Sequence, residues 1–266
     1  MNEETYLKNY DISKYERPSV AADMVVFTVR DNKPDNPKKS PVKKLSMMLI
    51  KRGEHPFKEM WALPGGFLKM DETIEQCAFR ELSEETGLKE LYLRQFRTYS
   101  DVKRDPRGRI ISCAYFSLIN NSDELVRASS DAVDAAWFDV TVTESDAGFL
   151  YSLSNNEDVL LEVKVSEKND EVVIEECNGS LAFDHVRIIT DAIYFIRSGF
   201  DNAEYIFMLL PEKFSIPQMQ SVYALVKGKS VSKEVVHRLY DKKIEKTMSS
   251  EQDGQHKRAI LYRKKL

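Results

Sequence analysis

Apolar and polar positions repeat with different periods along this chain, and the first part favours strands. Ser19 to Val29 and Leu45 to Arg52 are β-rich runs of strand length, so each is predicted as a strand. Asp31 to Lys44 lies between them, is rich in Pro and Lys, and is predicted as a surface loop. Two further strands are predicted from Leu91 to Ser100 and from Arg109 to Asn120.

The next strands are shorter. Ala135 to Phe138 is predicted as a short strand that follows an acidic, Ser-rich loop from Asn120 to Asp134. Leu161 to Val165 alternates apolar and charged residues, and a turn then leads to a second apolar run at Val172 to Ile174. This pattern predicts a β-hairpin.

From Asp184 onward the apolar period becomes helical. Val186, Ile189, Ile193 and Ile196 lie on one face of a helix that ends near Gly199, and Asp184 is a suitable N-cap. His185 falls in the first turn, where a structural role is favoured over a catalytic one.

The C-terminal part has a helix-turn-helix pattern. A helix is predicted from Ile216 to Val226, stopped by Gly228. Ser232 caps a second helix that is predicted to continue to about Thr247, with Val235, Leu239 and Ile244 on its buried side. Gly254 as a turn and Arg258 to Tyr262 as a strand complete a winged helix, in which the second helix enters the major groove of DNA.

Charge is distributed unevenly over the chain. The whole sequence carries a net charge of −4, but residues 213–266 hold 13 Lys and Arg against 5 Asp and Glu. The C-terminal part therefore carries +8, which leaves −12 for residues 1–212. A basic module on an acidic body favours an anionic partner, although a solvated basic tail would show the same composition.

Length, hydropathy and cysteine usage restrict the class of protein. With 42% hydrophobic residues, a chain of 266 residues can bury one large core or two smaller ones. Three widely spaced cysteines, Cys77, Cys113 and Cys177, indicate buried or half-buried thiols in a reducing compartment. Neither a signal peptide nor an apolar run of 18 residues is present, so a cytoplasmic protein without membrane attachment is expected.

The stretch from Gly65 to Leu88 holds the candidate chemistry. A Gly65-Gly66 turn precedes a run without Gly or Pro until Gly87, which predicts a helix. Glu81, Glu84 and Glu85 then fall within an arc of about 100° on that helix. Carboxylates this close repel one another unless a cation offsets them, and Mg²⁺ takes oxygen ligands of this kind. The alternative is an acidic solvated helix face.

This stretch resembles the signature box of the Nudix hydrolases at every defined position. The resemblance implies an α/β (α+β) fold, namely an α/β/α sandwich with a mixed sheet. It also implies that Gly66, Glu81, Glu84 and Glu85 bind Mg²⁺, with Mn²⁺ as an alternative. The residues predicted to be catalytic are Glu81, Glu84, Glu85 and Arg80, although Glu72 and Arg80 also suit ion pairing that supports the helix. A further acid outside the box, such as Asp131 or Asp134, completes the site in many Nudix enzymes.

A second cluster of charge lies in the loop DVKRDPRG. Its arginines suit phosphate oxygens because a guanidinium is a planar fork, but a charged hairpin turn would have the same composition. Arg52, Arg104 and Arg107 are predicted to bind substrate. The run RDPRGR resembles the ADP-ribose-processing branch of the Nudix superfamily.

The whole chain resembles the Nudix-related transcriptional regulators. RDPRGR, Leu181 to His185 (LAFDH) and the C-terminal winged helix carry this resemblance, which implies an ADP-ribose-like effector, a homodimer and binding to double-stranded DNA. The residues predicted to bind DNA are Lys233, Arg238, Lys242, Lys243, Lys246 and Arg258. Many such regulators have a degraded box, whereas this box is complete.

The sequence therefore predicts three parts: a Nudix domain at 1–155, a hairpin and connecting helix at 156–205, and a winged helix-turn-helix domain at 206–266. The predicted function is Mg²⁺-dependent hydrolysis of a nucleoside diphosphate linked to another group, with ADP-ribose converted to AMP and ribose 5-phosphate. The alternative is a transcriptional regulator that binds ADP-ribose or a related effector. The operator, the exact substrate and the cellular role stay open.

Overall fold

A computed structural model gives the conformation of most of the chain. It describes residues 2–32, 42–86, 92–120, 132–155, 158–201, 204–253 and 257–265. The strands are β1 Ser19–Asn32, β2 Val42–Arg52, β3 Trp61–Ala62, β4 Gly65–Phe67, β5 Leu93–Tyr99, β6 Ile110–Ile119, β7 Ala132–Ser145, β8 Gly148–Asn155, β9 Asp158–Lys168, β10 Glu171–Gly179, β11 Ile244–Asp253 and β12 Lys257–Lys264. The α-helices are α1 Glu3–Asn9, α2 Ile74–Thr86, α3 His185–Gly199, α4 Tyr205–Met208, α5 Ile216–Lys227 and α6 Lys233–Tyr240.

Ten strands form one mixed sheet. Eight of them follow the order β10-β9-β8-β7-β2-β1-β6-β5, with β3 beside β2 and β4 beside β1. β1 and β6 are parallel, whereas β1 pairs with β2 in the antiparallel direction. The β9-β10 hairpin predicted from the sequence is present and extends the sheet at one edge.

Helices cover both faces of the sheet because the strand residues alternate. In β1, Met24 and Val26 pack in one cluster with Cys77, Ala78 and Leu82 of α2. Val25 and Phe27, on the opposite face, join a larger cluster that includes α3 and both helices of the winged helix. The result is the α/β/α sandwich with a mixed sheet that the box predicted.

Two strands differ from the prediction. β7 runs over Ala132–Ser145 instead of the predicted four residues, and the sequence analysis missed β8. The two strands pair from Asp139↔Ser154 to Ser145↔Gly148. This pairing extends β7 well beyond its apolar centre at Trp137 and Phe138.

The first helix of the winged helix follows its sequence signals closely. Ser215 and Gln218 form a reciprocal capping box at the start of α5, and Gly228 ends the helix in a left-handed conformation. β11 and β12 pair as an antiparallel wing. Gly254, the predicted wing turn, lies outside the described residues.

The second helix is shorter than predicted. α6 ends at Tyr240, a 3₁₀ turn covers Asp241–Lys243, and β11 begins at Ile244, so the prediction of a helix to Thr247 is wrong. Strand pairing of Ile244 with Lys264 outweighs the local helical pattern. The buried positions on α6 are Val236 and Tyr240, whereas the predicted Leu239 is exposed.

The N-terminal residues form a separate exposed element. None of the residues of α1 is buried, and the ring of Tyr10 lies against those of Tyr6 and Tyr15. Among the helices that the structure describes, none has the length and apolar character needed to cross a membrane.

Candidate functional site

A cleft of about 590 Å³ opens beside β1 and β4. Its lining includes the Gly65-Gly66 turn, Glu81 and Glu84 of α2, and arginines from β2 and from the loop before β6. The structure thus brings the box and the arginine loop together in one cleft, although about 20 residues or more separate them in the sequence.

Gly66 and Glu81 lie in close contact within this cleft. A Cβ atom added to Gly66 would meet the Oε1 of Glu81 at 2.1 Å. Glycine is therefore the residue that lets the carboxylate approach the turn. The Gly65-Gly66 turn and the Glu81 carboxylate thus lie side by side in the cleft.

Arg80 organises the carboxylates of α2. Its guanidinium donates to both Glu72 oxygens at 2.7 and 2.9 Å, and to Glu81 at 2.6 Å. The hydrogen bond from Arg80 lowers the pKa of Glu72 to about 2, helped by the backbone N–H of Lys69. Arg80 was predicted as catalytic, but it is not among the described residues that line the cleft. Its contacts are those of a residue that supports the turn and helix.

Oxygen donors for a divalent cation are present on α2. Glu81 and Glu84 line the cleft with Gly66, and carboxylate and carbonyl oxygens are the donors that suit Mg²⁺. The third predicted ligand, Glu85, lies in α2, but its side chain is outside what the structure describes. Within the described ranges, no three His, Cys, Asp or Glu side chains are grouped so that they could hold a metal. Glu81, Glu84 and Gly66 supply oxygen donors that suit a divalent cation, and a set of three carboxylates requires Glu85 as well.

The two acids proposed outside the box differ in what the structure describes of them. Asp134 lies on β7 and accepts a hydrogen bond from the N–H of Ala135. It is not among the described residues of the cleft lining. Asp131 lies outside the described residues.

Arg104 is a buried part of the cleft wall. It donates to Asp184 at 2.7 and 2.9 Å and to Asp23 at 3.2 Å. Burial disfavours its charge, but the hydrogen bond to Asp184 and the charges of both aspartates outweigh burial and raise the pKa of Arg104. The guanidinium predicted to contact substrate is thus already engaged by two carboxylates.

Arg52 and Arg107 share one aromatic support. Their guanidinium carbons lie 4.9 and 5.2 Å from the centre of the Phe183 ring. Arg107 also donates to both oxygens of Asp105, at 3.0 and 2.7 Å, while its side chain remains 40% exposed. Both line the cleft together with Arg104, which is buried.

Two residues of the cleft were missed by the sequence analysis. Asp23 is buried in β1 and accepts hydrogen bonds from Ser112 and Arg104. A carboxylate inside an apolar strand is a signal that could have identified it. Phe183 adopts a left-handed conformation, with φ of 55°. Its place beside the two arginines follows only from the fold.

His185 closes the base of the cleft. It is 4% exposed, and its Nδ1 accepts a hydrogen bond from the N–H of Leu63 at 2.9 Å. Burial lowers the pKa of His185 and favours the neutral ring. This agrees with the structural role expected from the sequence.

The residues predicted to bind DNA lie on several elements. Lys233 and Arg238 are on α6, and Lys242 and Lys243 follow in the 3₁₀ turn. Arg238, Lys242 and Lys243 line one shallow depression of the surface. Lys246 belongs to β11 rather than to the predicted helix. Arg258 lies in β12, with a side chain outside what the structure describes.

Comparisons with known proteins identify two matched regions. Residues 21–151 match the family model of the NUDIX domain. Residues 206–264 match that of the NrtR DNA-binding winged helix domain. The matched regions contain the cleft acids and the basic surface, respectively.

Individual relatives resemble either the whole chain or its first half. The ADPR responsive transcriptional repressor NtrR of Acinetobacter baylyi is 27% identical over 240 residues, which are 89% of this chain and 78% of the relative. The ADP-ribose pyrophosphatase of Methanocaldococcus jannaschii is 36% identical over 137 residues, 50% of this chain and 71% of the relative. A crystal structure of a MutT/nudix family protein from Enterococcus faecalis has a TM-score of 0.74 at 26% identity, covering 98% of this chain and 92% of that one.

Proposed function

Because this chain belongs to the Nudix family and ends in a winged helix domain of the NrtR type, we propose that it hydrolyses ADP-ribose to AMP and ribose 5-phosphate. The observation that carries the proposal is the cleft, in which Glu81 and Glu84 lie together with Arg52 and Arg107. The similarity to an ADP-ribose pyrophosphatase supports the choice of substrate.

The charges of the cleft suit a diphosphate. Arg52 and Arg107 bind its oxygens and are held in place by the Phe183 ring. Attack by water on one phosphorus breaks the bond to the bridging oxygen, and the two products each leave with a phosphate. A divalent cation held by Glu81, Glu84, Glu85 and the Gly66 carbonyl, which we propose to be Mg²⁺ or Mn²⁺, would supply further charge neutralisation when bound.

Glu81 and Glu84, the two acids of α2 that line the cleft, differ in how closely Arg80 holds them. Arg80 lies 2.6 Å from a carboxylate oxygen of Glu81 but 3.6 Å from one of Glu84. The Glu84 side chain is also 56% exposed, against 16% for Glu81. Glu84 is therefore freer than Glu81 to act in the cleft, as a cation ligand or as the acceptor of the proton that the attacking water loses.

The test compares two substitutions on the same helix. Glu84→Gln keeps the side-chain size and removes the charge, so AMP release from ADP-ribose with Mg²⁺ is expected to slow by at least about a hundredfold. Glu75→Gln is the matched control, because Glu75 is exposed on α2 and does not line the cleft. Hydrolysis is measured over a panel of diphosphates with Mg²⁺ and with Mn²⁺. If the unmodified protein cleaves none of them, the proposed activity is wrong.

The C-terminal domain favours a second function in the same molecule. The chain is similar over most of its length to an ADPR responsive repressor, and its winged helix presents basic residues on α6 and the following turn. We propose that the protein also binds double-stranded DNA as a homodimer, and that ADP-ribose in the cleft controls this binding.

A further inference from the structure

Helix α3 reaches from the cleft to the winged helix. Its first residue, His185, closes the base of the cleft, and its N-cap residue Asp184 holds Arg104. Its 15 residues span roughly 22 Å, and neither Gly nor Pro interrupts it before Gly199. An uninterrupted helix of this length is a candidate rigid connection between its two ends.

At the far end, α3 and α5 cap each other. The Nη1 of Arg197 donates to the carbonyls of Lys227 and Val226, in the last turn of α5. In return, the Nζ of Lys227 donates to the Arg197 carbonyl at 3.0 Å, in the last turn of α3. Both helix C-termini carry negative partial charge, so each is stabilised by the cation that the other supplies.

The Arg197 side of this contact is largely buried. Arg197 is 7% exposed and its guanidinium carbon lies 4.7 Å from the centre of the Phe149 ring. Lys227 also bonds to Asp201 at 3.1 Å, and Asp201 accepts from Tyr223 of α5. The position of α5 on the sheet is thus tied to the end of α3 by a small set of charged groups.

We propose that α3 couples the two sites, with the reciprocal Arg197–Lys227 caps as the contact that carries ligand occupancy to the winged helix. An anionic diphosphate in the cleft attracts the Arg104 guanidinium and weakens its bond to Asp184, which shifts the first turn of α3. The caps then rearrange, and α5 moves together with α6 because both helices belong to one buried cluster. This inference rests on the proposed function and adds the structural route by which a ligand in the cleft affects DNA binding.

The experiment measures DNA affinity with and without α,β-methylene ADP-ribose, in which carbon replaces the bridging oxygen so that the ligand is not hydrolysed. In the full-length protein the ligand is expected to change the Kd for a double-stranded DNA, selected by this protein from a random pool, about 5–150-fold. In Lys227→Met the ratio of the Kd for DNA with ligand to that without ligand is expected to differ from one by about twofold or less. The Kd for the ligand, measured by calorimetry, stays the same. By reciprocity, DNA then changes the ligand affinity by the same factor of about two or less.

Two further variants separate the route from general loss of the interface. Lys229→Met removes a 2.8 Å ion pair with Glu144 that lies near the same boundary but does not involve α3, and it keeps the full ratio. Asp184→Asn acts at the opposite end of α3 and lowers the ratio as Lys227→Met does. If either Lys227→Met or Asp184→Asn keeps the ratio of the unmodified protein, α3 is not the route. If the unmodified protein binds both partners without any effect of one on the other, the proposed regulation itself fails.

Discussion

At the scale of single residues, the buried ring of His185 makes the stability of the folded protein depend on pH. Its Nδ1 accepts from Leu63, so the neutral ring carries its proton on Nε2, which lies 3.8 Å from Asp23. A second proton on Nδ1 would break the bond to Leu63. Burial lowers the pKa of His185 below its ordinary value of 6.5, and the neutral ring is therefore the form that the folded protein keeps.

This shift predicts a loss of stability in weak acid. Below pH 6.5 the unfolded chain binds a proton at this histidine that the folded protein does not bind, so the free energy of unfolding decreases as the pH falls. His185→Asn keeps an acceptor in place of Nδ1 and does not titrate. The stability difference between the unmodified protein and this variant should fall by up to about 1.4 kcal/mol between pH 7.5 and 5.5, measured by urea unfolding. A difference that is constant with pH would contradict the assignment.

At the scale of elements, the sequence predicted those helix limits that are set by interactions between residues close in the chain. The apolar period and Gly199 located α3 to within a residue, and the capping residues located α5. α6 was predicted too long because Ile244 pairs with Lys264, 20 residues away, and this pairing leaves no local pattern. β8 did carry a signal, since Phe149, Tyr151 and Leu153 are buried alternately, but the prediction overlooked it.

The candidate site shows the same division. Its acids could be predicted because the box is contiguous in sequence and places them on one helix. The bonds from Arg104 to Asp184 and Asp23 join residues about 80 positions apart. Only the assembled sheet brings these groups together, so the sequence could not show that Arg104 is already paired.

The shortened α6 changes which basic residues are grouped. Arg238 and Lys242 are both exposed in the same depression, so replacing both by Gln should weaken DNA binding and lower the slope of log K against log salt by about one to two. Lys8→Gln with Lys164→Gln removes the same charge from exposed sites of the remaining chain and serves as the control. Titrations at several salt concentrations compare the two pairs. An equal loss in both would indicate an effect of net charge rather than of this surface.

At the scale of the whole molecule, the winged helix is not a separate body joined by a linker. One buried cluster contains Phe27 and Leu45 of the sheet together with Val222 of α5 and Tyr240 of α6. The hydroxyl of Tyr240 donates to the carbonyl of Phe200 at 2.5 Å, just beyond α3. The position of the DNA-binding surface is therefore set by contacts with the Nudix sheet as well as by α3.

Gly228, at the end of α5, approaches β7 closely. Its carbonyl accepts a hydrogen bond from the N–H of Glu144, and an added Cβ would meet the backbone of Val142 at 2.8 Å. Its φ of 70° also favours glycine, and the two effects can be separated.

Gly228→Ala combines left-handed strain with this clash and should cost about 2–5 kcal/mol. Asn tolerates the left-handed conformation but carries the same Cβ, so Gly228→Asn should still cost about 1–3 kcal/mol. Thermal unfolding measures both, at about 2–4 °C per kcal/mol for a chain of comparable length. If Gly228→Asn is as stable as the unmodified protein, the contact with β7 yields freely and strain alone explains the glycine. If both variants lose stability, the close approach of Gly228 to the backbone of β7 contributes to holding the end of α5 on the sheet.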